Sequence, residues 1–307
     1  MSKIAFVFSG QGAQYPGMGQ SLVQASPAAK AVFALCDAIR PDTSLQCFSG
    51  TKEELTVTSN TQPDMFAVEV AAASALTEAG IRPDALAGFS VGEISALAFS
   101  GALPVEDAFR LVCRRGELMQ AASDAADTGM VAVVKLPPEQ VEELAAQFDQ
   151  VYPVNYNSPA QTVCAGLQSS MDGFKAAVKA AGGRAIPLRV AGAFHSPFMG
   201  SAGEGMVEEL KNYSFTQPKY TLYSNVTGKP YGAVETYPDL LARQVVSPVR
   251  WQQIVEDLIA SGVDTFIEVG PGNTLTGLIG KINPDVKTYN VDSADSLSAT
   301  LEEVKHG

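Results

Sequence analysis

Short apolar runs of strand length punctuate the chain, and stretches with a helical rhythm separate them. KIAFVF (3–8), DALAGF (84–89) and VDTFIEVG (263–270) are such runs, and each ends in a glycine-containing loop. KIAFVF reads as a buried strand, and the alternation of strands with helical segments predicts an α/β architecture. In open sheets of that kind, ligands collect beyond the carboxyl ends of the strands. Between residues 129 and 190 the order changes. GMVAVVKL, PPEQVEELAAQF, VYPVNYN, QTVCAGL, SSMDGFKAAVKAAG and RAIPLRV read strand, helix, strand, strand, helix, strand. That βαββαβ order is the ferredoxin-like pattern. It predicts an inserted subdomain over 126–194 within a core formed by 1–125 and 195–307, with a cleft between them.

Composition narrows the function. The 307 residues are 46% hydrophobic and carry a net charge of −12, which opposes a broad nucleic-acid surface. No apolar run approaches the roughly 20 residues needed to span a bilayer, so no membrane role is expected. The opening MSKIAFVFSGQG is too short for the core of an export signal. A cytoplasmic protein with Cys36, Cys47, Cys113 and Cys164 as reduced thiols is therefore expected. No C-x-x-C pair occurs and there are only two histidines, so no metal site is expected.

The loop SGQGAQYPGMG (9–19) invites a phosphate-binding reading, but Tyr15 replaces the third glycine of a dinucleotide fingerprint. Met18 stands where a P-loop starting at Gly12 needs lysine. A tight turn explains these glycines, and its amides could still serve an anion.

AGFSVGE (87–93) is more informative. An apolar strand meets G-x-S-x-G, and EISALAFS continues as a helix that Gly101 can end. In a nucleophile elbow the two glycines relieve crowding at a strained strand-to-helix turn, lifting the serine hydroxyl into the open. Ser90 is then a nucleophile; the competing reading is a helix N-cap serine. A nucleophilic serine needs a base. His306 lies in the penultimate position, so the base would be His195, in the loop GAFHSPFM. A purely structural histidine is the alternative.

The helix after Pro104 carries an apolar stripe of Ala108, Leu111, Val112, Leu118, Met119 and Ala122. Arg115 falls in the middle of it, whereas Arg114 lies off it beside Arg110. An inward guanidinium must be paired, either by an internal acid or by a substrate carboxylate that its fork meets in bidentate geometry.

Six motifs in order, FVFSGQGAQYPGMG, AGFSVGE, LVCRRGELMQ, GAFHSPFM, SPVRW and FIEVGPGNTLTGLI, resemble the malonyl-CoA:acyl carrier protein transacylases. The acyltransferase domains of polyketide synthases belong to the same family, and the likeness spans residues 4 to about 282. The resemblance implies an α/β-hydrolase-like core with a ferredoxin-like insert. It implies ping-pong transfer of malonyl from malonyl-CoA to the phosphopantetheine thiol of acyl carrier protein, in fatty acid biosynthesis. Ser90 would form the malonyl ester, His195 would act as base, and Arg115 would hold the malonate carboxylate. The Gln11 and Val91 amides would form the oxyanion hole, and the Gln244 carbonyl would orient His195. No cofactor is implied, and a monomer is expected.

Phe194 resembles the malonyl-selective form of the family; it would crowd an α-methyl, worth about 1–3 kcal/mol of discrimination. Phe89 departs from the family, which usually has histidine before the serine. Carrier proteins of this kind are acidic, so Lys175, Lys179, Arg184 or Lys281 could form a docking patch. Competing functions are a trans-acting polyketide acyltransferase, an acyl-thioester hydrolase and a carrier-binding module without catalysis.

Overall fold

The computed structural model describes residues 2–306 except 189 and 191. Its strands are β1 (Lys3–Phe8), β2 (Ala85–Gly88), β3 (Thr128–Val134), β4 (Val151–Ser158), β5 (Gln161–Leu167), β6 (Arg184–Pro187), β7 (Thr221–Leu222), β8 (Val263–Val269) and β9 (Lys287–Val291). They form two sheets. One has five parallel strands in the order β7-β2-β1-β8-β9, and the other is antiparallel in the order β4-β5-β3-β6.

The predicted strands at 3–8, 84–89 and 263–270 become β1, β2 and β8, side by side at the centre of the parallel sheet. Their central position explains the apolar runs of β1 and β2, whereas β8 also carries Asp264, Thr265 and Glu268. The strand-helix-strand-strand-helix-strand order expected from 129 onward is also present, as β3 to β6 with helices Pro138–Ala145 and Gln168–Ala180. The last of these strands ends at Pro187, short of the stretch RAIPLRV; Arg189 lies outside the described residues.

The hydrophobic pattern did not single out one central element. Helix Thr58–Glu78 is buried on nearly every side from Thr61 to Ala73. A helix enclosed all round has no polar face and so shows no stripe. Helix Val105–Asp124 packs across it at Gly116, where an added Cβ would lie 3.1 Å from the Thr58 carbonyl. That close approach brings Arg115, one residue away, within reach of Gln62.

The small sheet is sewn to the core through β4. The Tyr156 amide donates to the Val249 carbonyl at 2.9 Å, and the Val249 amide donates to Val154 at 2.9 Å. The stretch SPVRW thereby seats β4 beside the carboxyl ends of β1 and β2.

The tightest packing lies at the β2 turn. A Cβ on Gly88 would sit 2.0 Å from the Gly92 carbonyl carbon, and one on Gly92 would sit 2.4 Å from the Phe8 carbonyl oxygen. Backbone on both sides leaves nothing that can move aside. Gly92→Ala should therefore cost about 3 kcal/mol or more. Gly277→Ala, in a helix where an added Cβ meets nothing within 4 Å, should gain roughly 0.5–1 kcal/mol. Urea unfolding of the two variants checks this contrast; equal losses would contradict it.

Candidate active site

Ser90 stands between β2 and helix Val91–Ser100 at φ 56° and ψ −106°. That is a costly conformation for a residue with a side chain, and it persists only where surroundings enforce it. Asn225 supplies the enforcement. Its Oδ1 accepts from the Ser90 amide at 2.8 Å, while its Nδ2 donates to the Gly88 carbonyl at 2.6 Å. The two-residue strand β7, paired with β2, ends just before Asn225 and delivers it to the turn.

The Ser90 hydroxyl lies 2.7 Å from His195 Nε2, and His195 Nδ1 lies 2.8 Å from the Gln244 carbonyl. A carbonyl can only accept, so Nδ1 carries the proton and Nε2 is free to take one from Ser90. His195 itself has φ 61°, a left-handed conformation that directs its ring at the elbow. Burial, and then the neighbouring Arg115, pull its pKa down from 6.5 to about 4. The imidazole is thus neutral at neutral pH.

Arg115 is fully buried, on the inward face where the helical pattern put it, while Arg114 pairs with Glu117 on the surface. Its Nη1 donates to Gln62 Oε1 at 2.7 Å; its Nη2 donates to Gln244 Oε1 at 2.7 Å and to Ser90 Oγ at 3.2 Å. No acid touches it directly among the described residues. A guanidinium has five N–H donors. With three engaged, the buried Nε and one hydrogen on Nη1 are left without an acceptor. Burial lowers the Arg115 pKa to about 10, opposed by Glu93, so the charge is retained.

Sequence reasoning missed four participants: Gln62, Asn225, Tyr231 and Glu93. The side chain of Gln244 also does more than its carbonyl suggested, donating to the Ser90 carbonyl at 2.8 Å and to Glu93 at 2.7 Å. Glu93 is wholly buried and accepts from the Tyr231 hydroxyl at 2.5 Å. These are ordinary polar residues, and their contacts with the elbow cross more than 130 positions for Asn225 and Tyr231. The one signal within reach was Glu93, the lone charged residue of the elbow helix VGEISALAFS.

Of the two residues the resemblance assigns to an oxyanion hole, Gln11 lines the site cavity and Val91 directly follows Ser90. Gln11, Ser90, Phe194 and His195 line one narrow cavity of about 80 Å³. Val91 opens the elbow helix, where amides have no intrahelical partner. Among the described residues, neither the Gln11 nor the Val91 amide meets an acceptor. An adjoining trough of about 280 Å³ runs between the sheets, sharing Gln11, Phe89, Asn155 and Leu188 with that cavity. Phe89 packs edge-on against Trp251 at 5.5 Å and lies close under Gly10. Its apolar ring replaces hydrogen bonding there with packing. Of the expected docking cations, Lys175 is engaged by Asp172 at 2.7 Å. Among the described residues no group of acids, histidines and cysteines could hold a metal ion, and no helix is long and apolar enough to cross a membrane.

A strained serine, a neutral histidine on its hydroxyl and two unengaged amides beside it define an acyl-transfer site. The chain belongs to the acyl transferase domain family, whose pattern it matches over residues 5–293. It is 37% identical to the malonyl CoA-acyl carrier protein transacylase of Bacillus subtilis strain 168, over 99% of this chain and 98% of that one. The crystal structure of the Clostridium perfringens transacylase superposes with a TM-score of 0.95 at 38% identity, covering 99% of this chain and 98% of that one. A malonyl-transacylase solved with its type II polyketide acyl-carrier protein superposes at 0.94 and 35% identity, over 98% and 100% of the two chains.

Asn225→Ala releases both ends of the elbow clasp. It should lower kcat about 100-fold with KM for the acyl donor little changed, since misplacement of a nucleophile by about 1 Å costs that much. Steady-state kinetics check it; a loss confined to KM would contradict it.

Proposed function

We propose that this protein transfers malonyl groups from malonyl-CoA to the phosphopantetheine thiol of acyl carrier protein in fatty acid biosynthesis, through a malonyl ester on Ser90. One observation carries the reading. Arg115, buried and short of acceptors, points Nη2 at the same hydroxyl that His195 can deprotonate. A fork beside a nucleophile suits an acyl group with its own carboxylate.

In the first half-reaction His195 Nε2 takes the Ser90 proton as Oγ attacks the thioester carbonyl. The Gln11 and Val91 amides hold the developing oxyanion. Collapse of the adduct expels the CoA thiolate, which takes the proton back from His195. The carrier thiol then repeats these steps in reverse. Gln244 keeps His195 in the tautomer this requires, and Arg115 holds the malonyl carboxylate throughout.

The trough suits the amide-bearing arm shared by both thiols. Asn155 and Asn157, two apart on β4, each leave a buried Oδ1 without a partner among the described residues. An incoming secondary amide offers the N–H that such an oxygen lacks. Phe194, buried against the cavity, supports malonyl over branched acyl groups.

In this reading the core, residues 1–125 and 195–307, is α/β-hydrolase-like, and 126–194 is a ferredoxin-like insert whose strand order supports that assignment. The reaction needs neither metal nor redox cofactor, and the protein works as a cytoplasmic monomer.

Intact mass after exposure to malonyl-CoA tests the proposal. The wild type should gain one malonyl group that carrier protein discharges, and Ser90→Ala should gain none. CoA release without an adduct would favour a hydrolase. Arg115→Ala removes one partner of a buried charge pair, usually worth about 2–5 kcal/mol. Malonyl loading should fall at least about 30-fold while acetyl loading rises. A pH profile supplies a separate check. With the base held near 4, the acid limb of kcat/KM should lie well below the 6.5 of an ordinary histidine. A limb at 6.5 would contradict the depressed pKa of His195.

A further inference from the structure

Glu93 sits three residues past Ser90, in the first turn of the elbow helix, cut off from water. Its carboxylate accepts from Tyr231 at 2.5 Å, from the Gln244 side chain at 2.7 Å and from the Asn225 amide at 3.3 Å. Arg115 does not reach it. The Gln244 amide stands between them, accepting from Arg115 through Oε1 and donating to Glu93 through Nε2. One buried cation and one buried anion are thus joined through a single neutral group. His195 faces the same residue from its other side, through the Gln244 carbonyl. Tyr237 packs its ring on Tyr231 at 4.7 Å, and Ser224 beside Tyr231 has a buried hydroxyl without a partner among the described residues.

This balance holds only while the site is empty. When a malonyl carboxylate docks on Arg115, as the transferase reading requires, two carboxylates share one guanidinium away from water. Like charges sharing a site cannot both remain ionised without a strong shift in one of them. The malonyl carboxylate touches the guanidinium and keeps its charge. Glu93 is held one amide further off and is the anion that yields.

We propose that forming the malonyl ester on Ser90 is coupled to uptake of one proton from solvent by Glu93. The step balances: the serine proton leaves through His195 to the CoA sulfur, and a separate solvent proton neutralises Glu93. Transfer to the carrier thiol releases that proton again. The network survives the change, because neutral Glu93 still accepts from Gln244 and can donate to the Tyr231 oxygen. Tyr231 can then turn its own hydrogen to Ser224. Glu93 is here a positioning residue that resets the charge of the carboxylate pocket.

Burial already pushes Glu93 up to about 7 in the empty site, which sets the window. Well below that pH Glu93 is neutral beforehand and loading takes up nothing. Uptake should reach about half a proton per ester at pH 7 and approach one near pH 8. Because a proton is consumed, the loading equilibrium weakens as pH rises through this range, by up to about tenfold per unit.

The test mixes the protein with malonyl-CoA in weakly buffered indicator dye and counts the ester by mass in the same sample. Wild type should follow the stated uptake curve. Glu93→Gln should form the ester with no uptake and with a loading equilibrium flat between about pH 6 and 8. Tyr231→Phe, which removes a donor to the ionised carboxylate, should move the curve to higher pH and reduce uptake at pH 7. Ester without uptake in the wild type would overturn the inference and leave the transferase standing. Uptake persisting in Glu93→Gln would overturn it in favour of His195, as would an unmoved curve in Tyr231→Phe. Absence of ester in the wild type would end the transferase reading and this inference together.

Discussion

The burial of one guanidinium organises this site. Arg115 has no contact with water and, among the described residues, no acid in direct reach, so neutral amides carry its solvation: Gln62 on one side, Gln244 on the other. Each comes from a different helix, and each helix must be held close. Gly116 lets Thr58–Glu78 approach far enough for Gln62 to reach. Gln244 is fixed in turn by the Ser90 carbonyl and by Glu93. A charge that would be costly alone is tolerable here because polar groups are preorganised around it. The same arrangement leaves two N–H groups of Arg115 without an acceptor among the described residues.

The elbow is a second constraint, and it is coupled to the first. Ser90 needs a backbone conformation that its own side chain resists, and Gly88, Gly92 and Asn225 together impose it. Gly92 touches the end of β1, which leads into Ser9, Gly10 and Gln11. The same contact therefore ties the elbow to the segment that carries Gln11 into the cavity shared with Ser90. Phe89 fits this arrangement through packing against Trp251 and under Gly10, which accounts for how an apolar residue serves before the serine.

Legibility in the sequence followed how local each signal was. Ser90 was readable from five neighbours, and Arg115 from a single helix whose stripe it interrupts. His195 emerged by elimination, because the chain has only two histidines. Gln11, Val91 and Gln244 were expected to act through backbone atoms, which no side-chain pattern encodes, so only the family resemblance named them. Asn225 and Tyr231 meet the elbow across more than 130 positions and carry no distinctive spacing. The central strands announced themselves by short apolar-rich runs ending in glycine loops. Helix Thr58–Glu78 hid, since burial on every side erases the period that marks a helix. Two-residue β7 is too short to leave a pattern, yet it delivers Asn225.

The group behind His195 follows from the same electrostatics. A carboxylate at Nδ1 would orient the ring, but it would also add a negative charge beside Arg115 and raise the imidazole pKa. The Gln244 carbonyl fixes the tautomer with no net charge, so the histidine stays neutral and the guanidinium stays available. The anion nearest this network, Glu93, is held off by the same residue's side chain. Gln244 therefore separates three functions that one aspartate would merge: tautomer control, support of the arginine and distance from the counter-charge. Under the proposed chemistry that separation matters most. A site built to receive a carboxylate works best when its own carboxylates stand one hydrogen bond away.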